Sequence, residues 1–559
     1  MSQTPKKQNF LHGAALLAMA TAVVKVIGAL YKIPLKMIIG DTGYGYFNTA
    51  YDIYSVLLMI STAGLPIAMS RMISQVSALR NYNQVRRVYK TARTIFLILG
   101  VLSCGLMMIF CRELAVFQGQ PDAWASIACL APGSLLICLM ATFRGFFQGQ
   151  GDMRPTSTSQ ILEAVVKLVV GLAAAFALMF MTQSVALAAA GAILGVTISC
   201  VASTIFLYLK FRPTYATLPV TGDVPESYLQ TAKNLLAIAI PITVGAAGLQ
   251  VLAVIQTSLY MGQLRTGLDA SLSAAELEQL LLTYGYTGEA LSRADAIQFI
   301  MDNRKGIYNM ASTISNLPNS FIVPITVSVL PAVTSHLTLK DHGAVKATEE
   351  SAARITGLIT LPCSVGLLVL ARPIMGLLGG YSAEKLDLAS TLMALLAVVI
   401  SLYCFAQLVA SILQAHGYAH LPMLNMLLAG VINLAVVYIL SGNPDIGILG
   451  VPMGTILCYI IICILNTFCL YRTMDDRPAL MTNLLRPALP SAIMGVVVYG
   501  VYWAMTQVLH ISSNLILCAL PILVGVVVYV VCAVVFKSIT REDCLLLPKG
   551  EAIANLLRL

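Results

Sequence analysis

The stretch FRGFFQGQGDMRPTSTSQILEAVVKLVV, residues 143–170, decides the fold because the chain contains a second version of it. The second version is VASILQAHGYAHLPMLNMLLAGVINLAV, residues 409–436, in which Gly417 stands where the first has Gly151. Both versions end in an apolar segment long enough to be a membrane helix. The charged positions of the first version are replaced in the second, Arg144 by Ala410, Glu163 by Ala429 and Lys167 by Asn433.

The composition is that of an integral membrane protein. Of 559 residues, 58% are hydrophobic and 11% are charged, and the mean hydropathy is +0.84, whereas soluble domains carry about 25% charged residues. The apolar runs are continuous and do not alternate, which indicates helices and excludes a β-barrel. The sequence therefore predicts an all-α polytopic membrane protein.

We predict 14 transmembrane helices, arranged as two six-helix repeats and a C-terminal helical hairpin. The predicted spans are about 10–39, 46–78, 86–110, 123–149, 155–181, 184–211, 231–262, 306–337, 350–371, 388–415, 421–440, 446–471, 484–508 and 513–537.

The internal repeat extends beyond the opening pair and sets the predicted domains. QVRRVYKTARTIFLILG from Gln84 resembles AVKATEESAARITGLIT from Ala344. Six helices give both copies the same topology, and parallel repeats of this kind form a substrate path between them. The predicted domains are an N-lobe at 1–211, a cytoplasmic linker at 212–230, a C-lobe at 231–471 with an extracytoplasmic insertion at 263–304, and the hairpin with a cytoplasmic tail at 472–559. Within the insertion, SAAELEQLLL predicts a short surface helix.

Lysine and arginine positions predict the orientation. With the N-terminus in the cytoplasm, most of the 34 lysines and arginines fall in inside loops or at inside span ends. We therefore expect both termini to be cytoplasmic in a bacterial plasma membrane. The net charge of +9 is explained by the membrane face, so membrane lipids are expected partners and nucleic acid is not.

Motifs for catalysis are missing from the sequence. It has no CxxC pair, nucleotide-binding loop, nucleophile elbow or HExxH. We interpret the 13 cysteines as small, buried hydrophobic residues. His416 and His420 are one helical turn apart, but no carboxylate or thiol lies near them in sequence, so we expect no metal site. We predict a transporter without a cofactor, and neither an enzyme nor an ATP-driven pump.

Three lysines in the first span are candidate substrate ligands. Lys25, Lys32 and Lys36 lie within about 40° of one another on one helix face. A charge inside a span costs about 2.5–3.5 kcal/mol on insertion scales. Lys36 lies near the outer end and could instead snorkel to the interface. A cationic stripe facing a water-filled cleft suits an anion such as a diphosphate.

Further charges lie in the first repeat. Glu163 and Lys167 are one turn apart and can pair within a helix, while Arg144 is either a ligand or an anchor in headgroups. Asp52 can balance a lysine of the first helix or, like Glu163, serve in ion coupling. The surrounding tyrosines favour an interface belt over a sugar platform: Tyr44, Tyr46, Tyr51 and Tyr54. We infer that the first repeat kept its charges to hold a charged headgroup, through Lys25, Lys32, Lys36, Arg144 and Lys167.

These segments resemble a known superfamily. GFFQGQGDMRPTSTSQ with the six-plus-six repeat resembles the multidrug/oligosaccharidyl-lipid/polysaccharide exporter superfamily. KVIGALYKIPL (25–35) and STAGLPIAMSRMISQ (61–75) resemble its polysaccharide-biosynthesis branch, with the MurJ-type lipid II flippases and the stage V sporulation protein B group. The resemblance implies alternating access, a diphosphate held near Lys25 and Lys32, and a lipid-tail groove at the added hairpin. LPNSFIVPITVSVLPAVTSH (317–336) departs from the pattern because it holds no cation.

The resemblance implies a flippase that moves an undecaprenyl-diphosphate-linked peptidoglycan precursor, lipid II, from the inner to the outer leaflet. The alternatives are a flippase for another lipid-linked precursor (capsule, teichoic acid or spore cortex) and a cation-coupled multidrug exporter. Because no nucleotide site is found, we expect the membrane potential to supply energy, with a Na⁺ or H⁺ gradient as an additional source. We expect a monomer.

Overall fold

The computed structural model describes residues 4–62, 64–286, 288, 290–319, 333, 337, 341–379, 381, 383–418, 420–474, 477–511 and 513–539. Within these ranges, the side chains of most residues in 4–29 and 241–249, and of 60–62, 78 and 379, are left out. The described residues are predominantly helical, with short turns and loops between the helices, and none of them forms a β-strand. The all-α prediction is confirmed.

The chain forms two compact units, residues 1–265 with 291–309, and residues 266–290 with 310–559. Residues 231–265, which the sequence analysis assigned to the second repeat, pack in the first unit. The helices of the first unit are α1 Thr4–Thr62, α2 Leu65–Ala78, α3 Tyr82–Ile109, α4 Cys111–Phe117, α5 Trp124–Gly149, α6 Arg154–Thr182, α7 Val185–Ala216, most of α8 Tyr228–Ser271, and the start of α10 Arg293–Ser315.

The second unit contains the short helix α9 and the C-terminal helices. The helix predicted in SAAELEQLLL is confirmed as α9, Ala274–Thr283, whose N-terminus Ser273 and Glu276 cap reciprocally. The remaining helices are α11 His342–Val369, α12 Ala371–Gly379, α13 Ala383–Ala415, α14 His420–Ser441, α15 Gly450–Thr473, α16 Leu480–Leu485, α17 Ala488–Trp503 and α18 Asn514–Val535.

Ten helical segments within the described ranges are long and apolar enough to cross a membrane. They agree with ten of the predicted spans to within several residues. Half of the predicted span 306–337 lies outside the described residues, and α10 already begins at Arg293. The protein is a multi-pass membrane protein.

Glycines interrupt the helices at three informative places. Gly40 breaks α1 into arms at 4–39 and 41–62, with φ 68° and ψ −173°. Gly151 (φ 83°) ends α5, and Gly417 (φ 90°) ends α13. Residues other than glycine rarely adopt these left-handed backbone conformations. The two turns therefore have the same construction, a helix end, a left-handed glycine and a helix start.

The two units share a packing scheme. In the first unit α3 packs on α5, α5 on α7, and α6 on α7. In the second unit α11 packs on α13, α13 on α15, and α14 on α15. The helical hairpin of α17 and α18 docks on α11 and α12, where the Tyr529 hydroxyl donates to the carbonyl of Leu358 at 2.6 Å.

The predicted linker is shorter than expected because α7 continues to Ala216 and α8 begins at Tyr228. The segment between them is tied to the start of α3. The Asp223 carboxylate accepts from the Gln84 backbone N–H at 2.9 Å, and Arg86 donates to the carbonyl of Leu218 at 2.6 Å. The Asp223 bond satisfies an orphan N–H group at the start of α3, and the Arg86 side chain adds a second tie to the segment.

Candidate functional site: a charged cluster in the first unit

The two arms of α1 carry four of the predicted site residues. The backbone of Lys25 lies in the first arm, and its side chain is outside the described part of the structure. Lys32 is partly buried. Asp52, on the second arm, interacts electrostatically with Lys32 and with Lys305. Asp52 thus lies where it can balance a lysine of the first arm.

Lys36 is buried beside the break in α1. Its Nζ is 3.2 Å from the Oδ1 of Asp41, and the two side chains are 4% and 6% exposed. Gly40 separates the two residues, so the backbone turn brings Asp41 back towards Lys36. Because both charges are buried, loss of one partner removes the direct ion-pair contact of the other. The pair gives Lys36 a structural role that the sequence does not reveal.

Arg144 and Glu163 form an ion pair between α5 and α6. Arg144 Nη2 is 3.0 Å from Glu163 Oε2, and Arg144 Nε donates to the Ser159 hydroxyl at 3.0 Å. Both pairing side chains are mostly buried, at 18% and 27% exposure. The direct partner of Glu163 is therefore Arg144 of the neighbouring helix. The spacing in the sequence had instead indicated Lys167, on the same helix, as the partner of Glu163.

Lys167 instead contacts two tyrosines of α1. Its Nζ donates to the Tyr51 hydroxyl at 2.7 Å and lies 4.8 Å from the Tyr51 ring centre and 5.3 Å from the Tyr31 ring centre. At these distances a cation is attracted to the ring face. Glu163 remains within electrostatic range of Lys167.

The predicted interface belt of tyrosines is wrong. Tyr44, Tyr46 and Tyr54 are at most 5% exposed, and Tyr51 is partly buried. The rings of Tyr44 and Tyr51 pack on Phe47, and the ring of Tyr54 packs on that of Tyr51. Tyrosine hydroxyls need partners when they are buried, and contacts such as Lys167 to Tyr51 supply them. The rings therefore face the inside of the unit.

A second polar network was missed because its members are far apart in sequence. Lys305 is fully buried and donates to the Thr49 hydroxyl at 2.6 Å. Asp302 accepts from Gln120 at 3.1 Å and from Tyr46 at 3.0 Å. The lysine and arginine pattern had instead predicted Lys305 to lie on the extracytoplasmic side of the membrane. An unusual polar run at 302–305 before an apolar segment was the available signal.

Together these contacts form a charged cluster inside an apolar helical unit. We define it by Lys32, Asp52, Arg144, Glu163, Lys167 and Lys305. Cations outnumber carboxylates in it, and each carboxylate is shared with more than one cation. Such a cluster has electrostatic capacity for an anion.

An apolar groove lies within the second unit. Its volume is about 500 Å³, and α11, α17 and α18 supply most of its walls. Prolines and glycines shape it, with Pro362 and Gly366 on α11 and Pro521 and Gly525 on α18. The groove suits a hydrocarbon chain because its lining is almost entirely apolar.

The histidine pair also needs a correction. His416 has a carboxylate neighbour after all, since its Nε2 is 2.8 Å from Oε1 of Glu349 on α11. Sequence distance hid this contact. No group of three or more His, Cys, Asp or Glu side chains is arranged to hold a metal among the residues that the structure describes.

The apolar helical segments define a polytopic membrane protein, and the families and relatives that it matches are those of transporters, not enzymes. Residues 10–336 match the family described as "Polysaccharide biosynthesis protein", and residues 294–519 match "Lipid II flippase MurJ". The chain belongs to the polysaccharide biosynthesis protein family.

Curated relatives come from Bacillus subtilis. Stage V sporulation protein B is 24% identical, with 82% of this chain and 83% of the relative covered. The uncharacterized membrane protein YabM is 24% identical over 99% and 97%. The lipid II flippase MurJ is 22% identical over 89% of each.

Solved structures show the same fold. The inward closed conformation of lipid II flippase MurJ matches with a TM-score of 0.63 at 15% identity, covering 95% of this chain and 100% of that one. An inward-facing multidrug resistance MATE family transporter matches with a TM-score of 0.59 at 17% identity, covering 81% and 100%. The fold is thus shared by flippases and drug transporters.

Proposed function

We propose that the protein is a flippase that carries undecaprenyl-diphosphate-linked peptidoglycan precursor, lipid II, from the inner to the outer leaflet by alternating access. The observation that carries this proposal is the charged cluster, where Lys32, Lys167 and Lys305 lie inside an apolar unit. A diphosphate is the part of the substrate that needs cations. Lysines serve as mobile point charges for it.

The proposed architecture has fourteen spans in two repeats with both termini cytoplasmic. The matching glycine turns at Gly151 and Gly417 and the three recurring helix pairs support the repeat. The loss of Arg144, Glu163 and Lys167 from the second copy supports a division of labour. The first repeat holds the headgroup, and the second supplies smoother walls.

The proposed lipid-tail site is the apolar groove beside the C-terminal hairpin. The groove of about 500 Å³ takes part of a polyprenyl chain, because its almost entirely apolar lining offers van der Waals contacts to a hydrocarbon. The hairpin of α17 and α18 forms one wall. This gives the two added helices a function outside the repeat.

A flippase for a spore-cortex precursor is the second candidate. It is favoured by the similarity to stage V sporulation protein B, which is as high as that to any of the three Bacillus relatives. The two candidates share the diphosphate-linked lipid and differ in when the protein acts.

Complementation tests the proposal. In a strain depleted of its lipid II flippase, expression of this protein should restore growth, and the Lys25→Ala, Lys32→Ala double variant at equal membrane levels should not. Rescue only of spore-cortex formation would favour the second candidate. Failure of both rescues with well-expressed protein would refute the peptidoglycan substrate.

A further inference from the structure

A separate cavity in the second unit has the side chains of an anion site. It has a volume of about 330 Å³ and is lined by His342, Lys346, Glu349, His416 and Thr473, with apolar neighbours. The volume falls at the lower end of the range for small-molecule pockets. It shares no residue with the charged cluster.

The basic side chains of the cavity come from two helices. His342 and Lys346 are four residues apart at the start of α11, so they lie on one face. Both are exposed, which keeps the cavity open to a ligand. His416 comes from the end of α13. Three basic groups therefore converge on one small space.

The acidic residue of the cavity is already engaged. Glu349 is 2% exposed at its side chain, and its Oε1 is 2.8 Å from His416 Nε2. This bond fixes the imidazole ring and uses one of its two nitrogens. Asp341, next to His342, accepts from the Ala344 backbone N–H at 3.0 Å as the helix cap. Nearby carboxylates thus have partners, and the lysine and the histidines face the cavity.

We propose that this cavity binds the phosphate group of a ligand, either the headgroup of an anionic membrane phospholipid or a free phosphate compound. The Lys346 ammonium and the His342 imidazole N–H are suitable donors for phosphate oxygens, and His416, whose Nε2 is engaged by Glu349, donates through Nδ1 in its protonated form. The buried Glu349 acts as a positioning residue that holds His416 in the wall. The proposal is independent of the transported substrate.

Binding by the purified full-length protein tests this site. Titration with inorganic phosphate and diphosphate, followed by calorimetry, measures the free-ligand arm. Co-purification with the anionic lipid phosphatidylglycerol, compared with the zwitterionic lipid phosphatidylcholine and followed by native mass spectrometry, measures the lipid arm. We expect saturable binding in one arm, weakened at least about tenfold by Lys346→Gln and by His342→Asn, because each removes a hydrogen bond to a charged group.

Controls separate the site from general electrostatics and from misfolding. Lys210→Gln removes an exposed lysine at the end of α7 and should leave binding unchanged. The double variant Glu349→Gln, His416→Gln keeps an amide pair, so it should retain the melting temperature and lose affinity. Absence of saturable binding in both arms, or equal losses in the Lys346 and Lys210 variants, would overturn the proposal.

Discussion

At the scale of residues, the first unit places its charges where each has a polar neighbour. Lys167 donates a hydrogen bond to Tyr51, Arg144 forms an ion pair with Glu163, and Lys36 forms one with Asp41. A charge in the membrane is costly when it is alone, so these partners explain how the unit folds around cations. In the proposed function, cations of the cluster such as Lys167 exchange these partners for the anionic part of the substrate.

The first prediction concerns the first arm of α1. Lys25→Ala with Lys32→Ala should reduce transport more than about tenfold, because each lysine removed costs a charged contact to the diphosphate. Lys25→Arg should retain part of the activity. Transport per inserted protein is the measurement, with Lys210→Ala as the matched control. Normal transport by the double variant would contradict the proposed ligand role.

The second prediction concerns the ion pair between α5 and α6. Glu163→Gln and Arg144→Gln should each lower the amount of folded protein, because each leaves a mostly buried charge without its partner. The double variant should fold better than either single variant. Thermal stability in detergent, read by fluorescence-detected size exclusion, checks the order. A double variant as unstable as the worse single variant would show that the pair does not explain both losses.

Sequence reasoning found the charged residues of the first repeat but not all of their partners. Spacing along one helix suggested Glu163 with Lys167, whereas packing of α5 on α6 brings Arg144 to Glu163. Lys305 and the contact of His416 with Glu349 depend on residues far apart in the chain. Helix periodicity carries no information about such contacts.

At the scale of elements, helix positions follow from the apolar runs, and close crossings follow from small residues. The helices α6 and α7 cross at Gly171 and Gly195, where a Cβ on Gly195 would lie 2.3 Å from the Cα of Gly171. Membrane helices commonly associate through small residues in this way. The break at Gly40 was harder to predict, since the sequence only showed that two spans meet near it.

The third prediction uses this crossing. Gly195→Ala should lower the melting temperature, because the added methyl group forces α7 away from α6, the helix that carries Glu163 and Lys167 of the cluster. Gly105→Ala is the matched control, since a Cβ there has nothing within 4 Å, and alanine favours a helix over glycine. Equal melting temperatures for the two variants would show that the crossing tolerates separation.

At the scale of the whole molecule, the two units reuse one helix-packing scheme with different chemistry. The first concentrates charge around Lys32 and Lys167, and the second contains the apolar groove at α17 and α18. This division corresponds to a substrate with a charged headgroup and a long apolar tail. Repeats with one topology are the usual basis of alternating access.

The fourth prediction concerns energy. An empty cationic site is drawn towards a negative inside, and one elementary charge across 100 mV amounts to about 2.3 kcal/mol, roughly a fifty-fold bias between the inward and outward states. Collapse of the membrane potential at constant ATP should therefore slow transport in cells. The control is collapse of the proton gradient alone with the potential maintained. Transport that follows only the proton gradient would assign the coupling to a carboxylate such as Asp52 or Glu163.

The most direct test of the central claim is movement of the lipid itself. The purified protein would be reconstituted into vesicles with labelled undecaprenyl-diphosphate-linked glycan, an imposed inside-negative potential, and a probe that reaches only the outer leaflet. We expect the wild-type protein to expose the labelled lipid of the inner leaflet to the probe. We expect the Lys25→Ala, Lys32→Ala variant to expose no more of this lipid than protein-free vesicles do. Equal exposure with the wild-type protein and with protein-free vesicles would contradict it.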